Sequence, residues 1–92
     1  MFWSKLHRIE NQKIIAICDK DLIGKKLEID LKKSFFCDKE IDEKKAIELL
    51  FKSDIGNLFG KKIIDLATRK GLIDSKNILL IGGVPHAQYI RQ

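Results

Sequence analysis

His86 is the residue of this chain best placed for chemistry. An imidazole titrates near neutrality, at about pH 6.5, and can act as acid, base or ligand. It sits in Ile81-Gly82-Gly83-Val84-Pro85-His86-Ala87-Gln88, which gathers two of the six glycines, the only proline and one of the two histidines. Glycine admits positive φ and close backbone approach. Proline stiffens the turn and pushes Val84 toward extended backbone. The pattern predicts a shaped loop from Gly82 to Gln88. Gly82, Gly83 and Pro85 would hold His86 in a fixed loop, with Gln88 beside it, and backbone N–H groups of Gly82-Gly83 could cradle a phosphate. The structural alternative is that His86 merely ties the loop down by hydrogen bonds.

A second group lies at the start of the chain. Trp3, Lys5 and His7 alternate with Phe2, Ser4 and Leu6, a period of two that places the first three on one strand face. Aromatic and cationic groups on a sheet face are the tools of single-stranded RNA binding, by stacking and phosphate attraction; packing of Trp3 against a helix is the structural alternative. Arg8 follows directly, and the doublets Lys25-Lys26, Lys32-Lys33 and Lys61-Lys62 extend the basic set. Asn57, between Gly56 and Gly60, is expected to satisfy backbone at a helix start or kink. The acids Asp38, Glu40, Asp42 and Glu43 lack the ordered spacing of a cation loop and read as helix-capping charge. Cys18 and Cys37 form no CxxC pair and read as small buried hydrophobes. No phosphate-binding P-loop, HExxH, GxSxG, zinc-spaced set or dinucleotide fingerprint is present. No cofactor or metal is implied, and no nucleophile is paired with His86.

The elements that must position these groups follow from periodicity. Phe2–Arg8 reads as a strand, Ile9–Gln12 as a turn, and Lys13–Cys18, nearly all apolar and rich in isoleucine, as a central strand buried on both faces. Asp19 reads as an N-cap for a short helical turn ended by Gly24. Leu27, Ile29 and Leu31 alternate with Glu28, Asp30 and Lys32, giving a half-buried strand that Phe35-Phe36-Cys37 can continue. Asp42 caps the next helix, with Ile41 and Ala46 as a staple and Ile47, Leu50 and Phe51 as its apolar stripe. A further helix is expected from Ser53 or Asp54, through Ile55, Leu58, Phe59, Ile63, Leu66 and Ala67, to a stop at Gly71; Gly60 could kink or split it. Ile78–Ile81 reads as a short buried strand and Ala87–Ile90 as a closing one. The expected fold is α+β: a small mixed sheet with an N-terminal hairpin, two main helices on one face, and a C-terminal strand pair around the Gly-Gly-Val-Pro-His loop.

Composition bounds the rest. Ninety-two residues suit one compact domain, and 45% hydrophobic residues argue against disorder. No apolar run nears the ~20 residues that span a bilayer, and the start lacks a signal-peptide pattern, so a cytoplasmic protein without a membrane partner is expected. The net charge of +5 is uneven: +3 over residues 1–33, −2 over 34–59 and +4 over 60–92. Such a balance suits a basic face for phosphate backbone. Fifteen lysines to three arginines equally suit a Lys-rich composition with no ligand behind it.

Phe2-Trp3-Ser4-Lys5-Leu6-His7-Arg8, Ala16-Ile17-Cys18-Asp19, Asn57-Leu58-Phe59-Gly60 and Gly82-Gly83-Val84-Pro85-His86-Ala87-Gln88 occur in that order. Together they resemble an archaeal family catalogued as domain of unknown function number 424. The resemblance spans nearly the whole chain, and its last string is the most specific. It implies a small archaeal cytosolic protein with no assigned activity, encoded among genes for translation and transfer-RNA modification. The functional expectation is a non-enzymatic RNA-associated module in translation or tRNA maturation, meeting tRNA or rRNA through Trp3, Lys5, His7, Arg8, Asn57, Gly82, Gly83, Pro85, His86 and Gln88. The alternative is a protein–protein subunit, docking through the loop and a Gly56/Gly60 helix face onto a larger translation or tRNA-modification protein or a second copy. A small enzyme using His86 is the least favoured reading.

Overall fold

A computed structural model of the chain describes residues 1–22 and 38–91. The expected strand at Leu27–Leu31, the segment Phe35–Cys37, Gly24 and the doublets Lys25-Lys26 and Lys32-Lys33 lie outside the described residues.

The N-terminal hairpin forms as the alternation requires. Strand β1 (Phe2–Ile9) pairs antiparallel with β2 (Gln12–Asp19), Ile9 opposite Gln12. A two-residue turn joins them, with Glu10 at φ 49° and Asn11 at φ 67°. Two successive left-handed residues match the right-handed twist of the flanking strands. Ile15, Ala16, Ile17 and Cys18 are all buried, so β2 is covered on both faces as its apolar run predicts. Lys20–Leu22 is one 3-10 turn where a short helical turn is expected.

Strand β3 (Lys39–Ile41) adds to the outer side of β1. Helix α1 (Glu43–Lys52) starts where expected: Asp42 Oδ1 accepts the Lys45 N–H at 2.8 Å. Its inner stripe is Ala46 and Leu50, while Phe51 stands 42% exposed beneath the Arg91 guanidinium.

The long helix expected from residue 53 is a strand followed by a helix. Strand β4 (Ile55–Phe59) pairs parallel with β2, and helix α2 (Lys61–Arg69) follows Gly60. Ile55, Leu58 and Phe59 fit a helical stripe and a strand about equally well, so their spacing could not arbitrate. Gly56 and Gly60 each weaken a helix by about 1 kcal/mol relative to alanine, and the buried edge of β2 offers five residues a ladder instead. Gly71, at φ 75°, ends the region as expected.

Strand β5 (Leu79–Ile81) and strand β6 (Val84–Ile90) complete the sheet, in the order β3-β1-β2-β4-β6-β5. Among the described strands only the β2–β4 pair is parallel, which makes the sheet mixed. The C-terminal connection is tighter than predicted: Gly82 (φ 57°) and Gly83 (φ 79°) alone make the turn. Val84, Pro85 and His86 already belong to β6. Strand β5 is not buried; it forms one edge, with Leu79 61% and Leu80 72% exposed.

Both helices pack on one sheet face, as expected. Ile15, Ile17, Leu58, Ala87 and Tyr89 meet Ala46, Leu50, Ile63, Leu66 and Ala67 there. Gly56 and Gly60 are not a docking face. The Tyr89 ring occupies the space a Gly56 side chain would need, and the Asp19 carboxylate that of Gly60.

Candidate functional site

Alternation along a strand sends residues to opposite faces, so the register fixes what stands on the face away from α1 and α2. One row across the sheet is Glu40, Trp3, Cys18, Phe59, His86 and Leu79. The next is Lys5, Ala16, Asn57 and Gln88, and the third His7, Ile14, Ile55 and Ile90. Six predicted residues from three separate stretches of chain, Trp3, Lys5, His7, Asn57, His86 and Gln88, therefore share one face. Trp3 and Phe59 pack partly buried over Ala16 and Cys18, with Leu22 beside them. Cys18 is buried, as the small-hydrophobe reading expects.

His86 lies on β6, next to the edge strand, between Phe59 and Leu79. Its ring stacks on Phe59, centroids 4.2 Å apart and planes 27° apart, as cross-strand neighbours do. Its Nε2 lies 2.9 Å from Asn57 Oδ1. A carbonyl oxygen only accepts, so in this orientation Nε2 donates to it. Nδ1 is buried and takes no partner among the described residues. Burial holds the imidazole below its usual pKa, because a charged ring there loses water and would add an N–H without an acceptor. Asn57 thus caps no helix, contrary to expectation; it lies on β4 with its oxygen committed to His86.

Four predicted site residues do not join this face. Gly82 and Gly83 are used by the hairpin turn. Pro85 points to the helix side, and its carbonyl accepts the Gly60 N–H at 2.9 Å. Arg8 is exposed and, by alternation, faces away from His7. Nor do the cations gather in one stripe: Lys61-Lys62 and Arg69-Lys70 bracket α2, and Arg69 pairs with Glu43 at 3.6 Å. Of the acidic segment, Asp42 caps α1 as expected, while Glu40 meets Lys20 at 3.1 Å. Among the described residues no His, Cys, Asp and Glu group could hold a metal.

Asp19 is the polar residue whose role spacing did not reveal. It caps no adjacent turn. Its carboxylate, 3% exposed at the end of β2, accepts the N–H of Lys62 at 2.8 Å and of Ile63 at 2.9 Å. It caps the first turn of α2, to which Gly60 contributes no side chain. Burial raises the carboxyl above its usual range against the pull of those two N–H groups. No local motif links residues 43 apart in sequence.

No helix among the described residues is long and apolar enough to cross a membrane. No curated protein matches the chain. The crystal structure of an uncharacterized conserved protein from Methanopyrus kandleri has the same fold, with a TM-score of 0.74 over 99% of this chain and 93% of that one. At 22% identity the likeness speaks for architecture alone. The model of the family described as "Protein of unknown function (DUF424)" matches residues 7–91, and the chain belongs to that family.

Proposed function

We propose that the protein is a non-enzymatic RNA-associated module, and that the sheet face opposite the helices is its contact surface. The observation that carries this reading is the convergence of Trp3, Lys5, His7, Asn57, His86 and Gln88 on that face. Aromatic rings supply stacking without sequence demands, amides read base edges, and a net charge of +5 favours phosphate. A sheet bearing such groups suits unpaired nucleotides better than a duplex, whose bases are stacked out of reach. Among the described residues no nucleophile or second acid stands beside the amide-bonded His86, which favours binding over catalysis. Filter binding to bulk transfer and ribosomal RNA across a salt series is the test. Affinity should fall steeply with salt; absence of retention at low salt would refute the proposal.

A second reading is favoured by one observation, the exposed Leu79 and Leu80 on the open edge β5. An uncharged apolar edge is a template for another strand, as in a subunit of a larger protein or a homodimer. Gel filtration separates it: a monomer at every concentration, capturing no partner strand, would refute it.

A further inference from the structure

Edge strand β5 is open in its backbone as well as its side chains. On β6, the Pro85 carbonyl accepts the Gly60 N–H at 2.9 Å, and the Arg91 N–H donates to the Asp54 carbonyl at 2.7 Å. Odd-numbered residues of β6 therefore turn their backbone groups to β4, and Val84 and His86 turn theirs to Ile81 and Leu79 of β5. Leu80 lies between those two. Its N–H and C=O point away from the sheet, and neither takes a partner among the described residues. Natural edges are commonly blunted by lysine or proline; β5 carries neither. Residues 77–90 hold no Asp, Glu, Lys or Arg, although these make up 34% of the chain. At a net charge of +5, two copies repel over much of their surface. This uncharged edge is where they can meet.

We propose that β5 pairs antiparallel with β5 of a second copy, across a two-fold axis at Leu80. Leu80 then exchanges two N–H···O bonds with the partner's Leu80. Leu79 faces the partner's Ile81, and Ile81 the partner's Leu79, so every side chain of this apolar strand meets another apolar one. The same patch serves both copies, and the contact closes at two instead of growing into a filament. The axis stands perpendicular to the sheet, so the helices of both copies lie on one side of it. The paired segment is three residues a side, far below the roughly 20–30 of a standard interface. The dimer is accordingly weak and reversible, half-formed at about 10–100 µM. This inference rests on the open-edge reading above and commits it to a second copy of the chain.

Sedimentation velocity of the full chain from about 5 to 500 µM should show one copy passing into two. Leu80→Pro removes the outward N–H, which β6 does not use, so the fold should persist while the dimer is lost. Leu80→Lys sets two like charges on the axis and should do the same. Ile9→Lys, at the far end of the β1–β2 hairpin and also exposed, should leave the equilibrium unchanged. Register is read by mild oxidation. Leu80→Cys should cross-link to its counterpart, since residues so paired lie about 5.5 Å apart at Cα, within disulfide reach. Leu79→Cys should not, because the two copies of that position stand diagonally, about 8 Å apart. A monomer at the highest concentration would overturn the second-copy pairing and leave the edge to a strand of another protein. A dimer that survives Leu80→Pro, or that is lost equally in Ile9→Lys, would put the contact elsewhere and overturn the assignment to β5. Equal cross-linking of Leu79→Cys and Leu80→Cys would overturn the axis at Leu80.

Discussion

Gly56→Ala should be among the most damaging single-methyl changes in the molecule. A Cβ built on Gly56 would lie 2.0 Å from Tyr89 Cε1 and 2.5 Å from Cζ. Ordinary carbon contacts are about 3.5–4 Å, so the ring would have to retreat by roughly 1.5 Å. It is poorly placed to do so. Tyr89 is 8% exposed within the main core, and its hydroxyl donates to the Leu50 carbonyl at 2.8 Å. Overpacking of this kind costs about 1–3 kcal/mol. Breaking the hydroxyl bond inside the core adds about 1–3 kcal/mol. Replacing glycine in a strand returns about 0.5–1 kcal/mol. The net expectation is a loss of roughly 3 kcal/mol, a large part of the ~5–15 kcal/mol that holds a domain together. Urea unfolding reads it directly: with a slope of about 2 kcal/mol/M, the midpoint should fall by roughly 1.5 M. Tyr89→Phe supplies the internal check. By itself it should cost about 1–2 kcal/mol, because the Leu50 carbonyl loses its donor. In the Gly56→Ala background that cost should vanish, since the bond is already broken, and the two changes should be non-additive. A Gly56→Ala loss below about 1 kcal/mol, or strict additivity with Tyr89→Phe, would refute the close-contact argument.

Tyr89 and Asp19 give two further expectations. Burial pushes the Tyr89 phenol up to about 12. The chain has one tyrosine, so tyrosinate absorbance should titrate near 12 in the native state and about 10 in denaturant; a native midpoint near 10 would show an accessible hydroxyl. The stability that this phenol contributes is complete below about pH 10 and is lost as pH rises toward 12. The Asp19 carboxyl is raised by burial. Its contribution is therefore present below the unfolded value of about 3.9 and lost as pH rises through the folded value. The stability of wild type minus that of Asp19→Asn should fall as pH rises from below the unfolded value through the folded one, and an increase would show that the two N–H bonds outweigh burial. Asp19→Ala removes both acceptors from the first turn of α2 and should cost roughly 2 kcal/mol at low pH, and less as pH rises through the folded value.

Elements governed by near neighbours were legible from their residues. The β1–β2 hairpin declared itself by alternation on one strand and an apolar run on the other. The start of α1 was readable because a capping carboxylate lies three residues from the N–H it accepts, at Asp42 and Lys45. The stop at Gly71 needed only a backbone that favours left-handed φ. The shared strand face of Trp3, Lys5 and His7 followed from a period of two.

Features that depend on distant partners were not. Residues 55–59 carry apolar spacing that serves a helix or a strand, and the vacant edge of β2, some forty residues earlier, settled the matter. Once they became β4, Asn57 left its expected helix kink and came within reach of His86, and Gly56 became the seat of the Tyr89 ring. Asp19 shows the same limit: its local sequence says cap, but the helix it caps begins more than forty positions later. His86 was recognisable as a residue of interest from its glycines and proline. That it stands in a strand, stacked on Phe59 and joined to an amide, came from the β4–β6 register. Short-range periodicity and capping are written in adjacent residues, whereas strand order is a choice among competing long-range pairings that burial decides collectively.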